Sequence, residues 1–180
     1  VLIQGAAGGV GLAAVQIAKE TGATVIGTAS SAERLQRIAP FGLDHGIDYR
    51  QEDIAERCLA ITAGKGVDLA IDLAGGKGKD LLVKALRPHG RYGAVGASTG
   101  DIPSFSFFEL TGEMLNVYGV SLGREMHTDR VRELVATIFA KLADGTYQMP
   151  IDRVFPLSEA VEAHRHVAQG HPFGRVMMTP

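Results

Sequence analysis

Short apolar runs and helical apolar stripes alternate along most of the chain. Runs without polar alternation predict strands buried on both faces, as in parallel sheets. They fall at residues 1–3, 23–28, 45–48, 67–73, 91–97 and 115–121. Between the first two, Val10, Ala13, Ala14, Ile17 and Ala18 recur at helical spacing and predict a stripe docked on the sheet, ended by Thr21-Gly22. Further helices are expected at 32–39, entered from Ser30-Ser31 and stopped near Pro40, and at 51–62 and 79–86. Arg87-Pro88-His89-Gly90 is expected to break the helix over 79–86. Residues 103–112 carry Phe105, Phe107, Phe108 and Leu110 and predict a short helix packed on the sheet edge. Strands alternating with helices imply βαβ units, hence an α/β, doubly wound parallel six-stranded sheet of Rossmann type. The expected order is 3-2-1-4-5-6, with the ligand crevice at the carboxyl ends of the strands.

The last third reads differently. An amphipathic helix over 129–142 is followed by a strand at 151–155, a helix at 158–169 with Ser158 as N-cap, and a strand at 175–178. These pieces have no place in a six-stranded sheet. The expected division is a nucleotide-binding domain over 1–147 and a segment over 148–180 that packs on a domain this chain lacks. The chain also opens directly inside a strand, which reads as a fragment of something longer.

The first turn, Gly5-Ala6-Ala7-Gly8-Gly9-Val10-Gly11, stands between a strand and a helix, the context of a dinucleotide fingerprint. Backbone approaches a pyrophosphate where side chains are absent, and the helix N-terminus supplies free N–H groups and positive dipole. The spacing is Ala6-x-Gly8-x-x-Gly11, with alanine in place of the usual first glycine. A glycine triplet alone also fits an ordinary turn; the flanking strand and helix make Ala6, Ala7, Gly8, Gly9, Val10 and Gly11 cofactor-contact candidates.

The residues just beyond the second strand select the nucleotide. NAD-binding forms place an acidic residue there to accept from the ribose 2′-hydroxyl. Here the strand end carries Ala29 and Ser30, with Ser31 and Arg34 beyond, and Tyr49 at the end of the third strand. Two hydroxyls, a helix N-terminus and a guanidinium fork suit an adenosine 2′-phosphate. The competing reading makes Ser30-Ser31 a plain helix cap and Arg34 a solvated residue, and Glu33 would reach the ribose in a tighter turn. NADP(H) is the expected cofactor over NAD(H).

Composition narrows the class without adding a site. The 180 residues suffice for one substantial core, and 46% hydrophobic with 21% charged content is ordinary for a globular protein. A net charge of −2 argues against a nucleic-acid or membrane partner held by bulk electrostatics. The single cysteine, Cys58, makes no intrachain disulfide and no multi-cysteine zinc site, which fits the cytoplasm.

The residues from Gly5 to Lys19 resemble the signature of the quinone oxidoreductase (zeta-crystallin-like) branch of the medium-chain dehydrogenase/reductase superfamily, which also holds the zinc-type alcohol dehydrogenases. Ile47-Asp48-Tyr49-Arg50 resembles that branch's third strand. Residues 66–72 and 90–96 resemble its fourth and fifth strands, and Gly174-Arg175-Val176-Met177-Met178-Thr179-Pro180 its chain end. The resemblance covers the whole chain. It implies that Tyr49 contacts the 2′-phosphate and that Leu73, Ala74, Val95, Gly96 and Ala97 line the nicotinamide side. It also implies an N-terminal barrel-like domain holding most of the substrate pocket, and a homodimer built by pairing the sixth strand, residues 116–121, across a two-fold axis. The implied chemistry is hydride transfer from NADPH to a small-molecule quinone, enone or other activated alkene, and this span alone is expected to lack useful turnover.

No general acid is assigned. The related enoyl reductase domains of polyketide synthases carry a lysine and an aspartate after the fifth strand. Here that place offers Asp101 and no lysine, which sets that assignment behind the first. A zinc alcohol dehydrogenase and a non-catalytic dinucleotide-binding module remain the other readings. His164 and His166 point to different helix faces and read as packing or solvated groups, with no metal site expected. Cys58 reads as core, Asp68 as the entrance of the fourth strand and Asp72 as its ligand end.

Overall fold

The structure is a computed structural model that describes every residue except Lys77, Ser98 and His171. Strands β1 (Leu2–Gln4), β2 (Ile26–Ala29), β3 (His45–Asp48), β4 (Val67–Asp72), β5 (Leu86–Ala94) and β6 (Asn116–Gly119) form one parallel sheet in the order β3-β2-β1-β4-β5-β6. Helices α1 (Gly9–Glu20), α2 (Ala32–Ile38), α3 (Ile54–Ile61), α4 (Gly78–Ala85) and α5 (Phe107–Gly112) lie between them. This is the predicted doubly wound architecture.

Side chains alternate across the sheet, so neighbours on β1 serve opposite layers. Leu2 joins Ile26, Ile47, Ala70 and Tyr92 in a core with Cys58 of α3 and Leu82 of α4. Ile3 joins Val25 and Ala29 in a second core with Leu12 and Val15 of α1 and Ile38 of α2. Leu2 and Ile3 are wholly shielded, each contributing about 1.5–3 kcal/mol by burial.

Four local expectations need correction. Helix α1 docks through Gly11, Leu12, Val15, Gln16 and Ala18, while Val10 and Ile17 are exposed. The helix is apolar on two sides, so periodicity alone could not choose the docking side. Helix α5 starts only at Phe107, because Ser106 and Glu109 close a capping box. Phe105, just before it, packs on the core, whereas Phe107 and Phe108 stand exposed. The helix does break there, α4 ending at Ala85, but β5 begins at Leu86 rather than at 91 and carries a bulge: Val67 pairs with Leu86 and Leu69 with Arg91. Strand β2 begins at Ile26, three residues later than its apolar run.

Beyond the sheet, α6 (Asp129–Ala143) buries only Val131 and exposes Leu134, Val135, Ile138, Phe139 and Leu142 along one side. Its C-terminal end is tied to α1: Lys141 and Tyr147 bond Glu20, and the Gln16 amide exchanges bonds of 2.8 and 2.7 Å with the Gln148 backbone. Strands β7 (Ile151–Pro156) and β8 (Arg175–Thr179) pair in a separate parallel two-stranded sheet with α7 (Ala160–Gly170) between them. A 3-10 turn at Leu157–Glu159 precedes α7, so Ser158 lies inside that turn and does not cap the helix. No helix among the described residues is long and apolar enough to cross a membrane.

Candidate cofactor-binding site

The site is built first by steric necessity at the turn after β1. Gly5 takes a φ of 75°, and its N–H donates to Thr28 Oγ1 at 3.3 Å while Ala6 N–H donates to Thr28 O at 3.1 Å. Thr28, buried on β2, therefore holds the turn against the sheet. A Cβ on Gly11 would lie 2.2 Å from Gly5 O and 2.7 Å from the Ala6 Cα, so only glycine fits there. Gly8 caps α1 with extended backbone and no side-chain bond, and no acidic residue occupies the first turn. The leading N–H groups of α1 have no partner within the helix, and no carboxylate of that first turn competes for an anion there. Ala6, Ala7 and Gly11 are buried, Gly9 half-buried, and Gly8 and Val10 exposed.

The C-terminal segment closes on this turn. Gly174 pairs with Gly8 in an isolated parallel bridge, and Phe173 joins the second core. Arg175 lies so close to Gly9 that a Cβ there would meet its Nε at 2.7 Å. A guanidinium from β8 thereby lies beside the glycine turn. Sequence reasoning missed Arg175, since nothing in Gly174-Arg175-Val176 signals proximity to Gly9.

Ser30, Ser31, Arg34 and Tyr49 come together at the carboxyl ends of β2 and β3. Ala29 pairs with Asp48, and Tyr49 N–H donates to Ala29 O at 3.2 Å. Ser31 is the N-cap of α2, its Oγ accepting from Arg34 N–H at 3.3 Å. That bond uses an oxygen lone pair and leaves the hydroxyl proton available to donate. Tyr49 is half exposed. No carboxylate ends β2.

Comparison with known proteins gives this geometry a family. Residues 9–140 match the family described as zinc-binding dehydrogenase. The chain belongs to that family. It is the cofactor-binding domain of a member of the medium-chain dehydrogenase/reductase superfamily. It is 34% identical over 186 residues to a 2-haloacrylate reductase from a Burkholderia species, covering 100% of this chain and 55% of that protein. It is 34% identical over 182 residues to a mycocerosic acid synthase-like polyketide synthase from Mycobacterium tuberculosis, covering 99% of this chain but 8% of that one. The structure of Escherichia coli quinone oxidoreductase complexed with NADPH superimposes with a TM-score of 0.91 at 30% identity, over 99% of this chain and 56% of that one. The chain thus spans about half of the single-enzyme relatives.

The family name carries zinc, and the described residues do not fit it. No three His, Cys, Asp or Glu side chains among them are gathered as metal ligands. Burial pushes the Cys58 thiol up to about 11, away from the thiolate a metal takes. His166 is spoken for by Asp152, 2.7 Å from its Nε2.

The other half of the cradle lies across β1, at the ends of β4 and β5. Leu73 and Ala74 follow β4, and Val95, Gly96 and Ala97 follow β5. Val95 and Gly96 N–H donate to Asp72 O at 3.0 and 3.2 Å, and Thr99 N–H to Ala74 O at 3.1 Å, so the two loops form one ledge. The Asp72 side chain is wholly buried. Its Oδ1 accepts from Ala74 and Gly75 N–H at 2.9 and 2.8 Å, and its Oδ2 accepts from the Tyr92 hydroxyl. Burial, and then the Asp72 carboxylate, push the Tyr92 hydroxyl well above its ordinary range, so it stays a donor. An unpartnered carboxylate at this depth would cost several kcal/mol; three donors offset that. Asp68, by contrast, is exposed and paired with Arg87 at 2.5 Å.

Beneath the ledge, Lys79 of α4 anchors α5. Its ammonium bonds Glu109 and lies 2.6 Å from Asp80 and 5.2 Å from the Phe105 ring centroid. Burial works against the Lys79 charge, and the two carboxylates outweigh it, raising its pKa. The Lys79 bond and the Ser106 cap hold Glu109 down at about 2.

Proposed function

We propose that this chain is the NADP(H)-binding half of an oxidoreductase that reduces a small electrophilic substrate, a quinone, an enone or another activated alkene. The observation that carries the reading is the end of β2. Ser30, Ser31, Arg34 and Tyr49 gather there beside a glycine cradle, and no carboxylate is present to select a ribose 2′-hydroxyl. The quinone oxidoreductase structure that superimposes on this chain is a complex with NADPH, and the 2-haloacrylate reductase is named for reducing an activated alkene.

When bound, NADPH supplies a hydride from C4 of its nicotinamide ring. This chain's own residues bind and orient. The N-terminus of α1 and Arg175 meet the pyrophosphate, the serines with Arg34 and Tyr49 meet the 2′-phosphate, and Leu73, Ala74, Val95, Gly96 and Ala97 support the nicotinamide. Gly96 keeps that ledge flat, since a Cβ there would lie 2.8 Å from Leu73 O. No side chain here is assigned as proton donor to the product.

The polyketide synthase relative supports a second reading, in which the alkene is an enoyl thioester. Asp101 without a lysine in the stretch after β5 favours the first. The segment over 148–180 is read as packing on a further domain that carries the substrate pocket. Ile151, Val154, Leu157, Val161, Met177 and Met178 are exposed along it. Useful turnover is accordingly expected to need that domain, and a single buried thiol suits the cytoplasm. Titration of the purified protein with NADPH and NADH tests the cofactor assignment. NADPH is expected to bind at least about ten times tighter, the value of one charge-assisted phosphate contact; equal affinities or no binding overturn the reading.

A further inference from the structure

We infer that Asp72 is the positioning residue of the nicotinamide ledge, acting through its buried bonds without touching the cofactor. The inference rests on the dinucleotide reading above. A dinucleotide lying across the switch point between β1 and β4 with its 2′-phosphate at β2 and β3 places its other end over β4 and β5. Asp72 bonds both strand ends there, from beneath the Thr99–Ala74 and Gly76–Asp101 bonds that join the loops farther out. The side chain of Asp72 gathers Ala74 and Gly75, and its carbonyl gathers Val95 and Gly96.

Asp72 closes its contacts from within the core, where it pairs with Gln4 of β1 and Ala94 of β5. Tyr92 holds the second carboxylate oxygen, and its ring packs edge-on against Phe105 with centroids 5.0 Å apart. The chain of contact therefore runs from the anchored segment before α5, through Tyr92 and Asp72, to the surface formed by Leu73 and Ala74. No other carboxylate is wholly buried among the described residues. Such a group is retained at a cost in desolvation, and here it fixes loop geometry at the place where a ring must be held flat.

The division of labour between the two oxygens gives a sharp test. Oδ1 alone serves both backbone N–H groups, so Asp72→Asn can keep those bonds, whereas Asp72→Leu fills the volume and keeps none. The probes are NADPH, followed through its nicotinamide fluorescence, and adenosine 2′,5′-bisphosphate, which carries only the adenine half. For Asp72→Leu the expected result is NADPH binding weakened about tenfold, with the fluorescence change on binding lost. The bisphosphate should bind within about twofold of the parent. Asp72→Asn should restore most of the NADPH affinity. Tyr92→Phe, which leaves the Ala74 and Gly75 bonds in place, should shift the fluorescence in the same direction by a smaller amount and serves if the leucine variant does not fold. Parent-like NADPH binding and fluorescence in Asp72→Leu, or in Tyr92→Phe where the leucine variant fails to fold, overturn the inference. Equal loss of both probes also overturns it, because that marks a merely structural residue. Failure of the parent protein to bind either probe instead overturns the cofactor reading beneath it.

Discussion

At Gly11 a single added methyl group would collide with the turn that precedes the helix. A Cβ would sit 2.2 Å from Gly5 O, so the first turn of α1 would have to move away from the cradle. Arg34 and Arg175 divide the charge around that cradle, and their removal should separate the two phosphate groups. Arg34→Ala is expected to weaken NADPH about tenfold and leave NADH nearly unchanged, since only the former carries the 2′-phosphate. Arg175→Ala should weaken both by a similar factor, because the pyrophosphate is common to them. Isothermal titration of both variants with both nucleotides measures this; a selective effect of Arg175, or a uniform effect of Arg34, reverses the assignments. The Arg34 side of the pattern was legible in the sequence, since Ser30, Ser31 and Arg34 follow one strand end directly. Arg175 was not, because its role comes from a tertiary bridge at Gly174.

Among the elements, α5 shows how a local cap and a long-range ion pair combine. Ser106 and Glu109 define its start, and Lys79 holds the same carboxylate from α4. Glu109 is depressed from 4.5 to about 2 in the folded protein. A lowered folded value means that its contribution is fully present above the ordinary carboxylate range and is lost as pH falls from about 4.5 toward 2. Glu109→Gln should therefore lower Tm near neutral pH, with the gap to the parent protein closing below about pH 3. Thermal melts across that range check it, and a gap independent of pH would assign the loss to packing. The capping box was readable as Ser106-x-x-Glu109, yet the apolar run from Phe105 to Leu110 suggested a longer packed helix. Apolar content says that a residue can be buried; the position of the cap decides which ones point inward. Helix α1 repeats the lesson, with two apolar sides of which only the one holding Leu12 and Val15 meets the sheet.

At the scale of the whole molecule, the sheet ends at β6, and all four of its residues are exposed. Val117 and Tyr118 lie on that edge beside Val120 and Leu122, also exposed. An unprotected apolar edge is a template for pairing, and pairing with its own copy across a two-fold axis closes the sheet. Sedimentation is expected to report a dimer. Val117→Lys should convert it to monomer by placing like charges near the axis, and a monomeric parent protein would refute the pairing.

The order of strands and helices, the glycine turn and the hydroxyls proposed for the 2′-phosphate come from the sequence by itself. Each rests on periodicity or on residues within a few positions of one another. The tertiary structure alone decided that Arg175 closes on Gly9 and that Asp72 ties two loops together from inside the core. It also decided which side of α1 is buried. Those outcomes depend on contacts between segments far apart in the chain, where packing and the cost of burying charge choose among arrangements that local pattern leaves equal. Even the opening turn, the most legible stretch of the sequence, has its charge completed by a residue from the last strand.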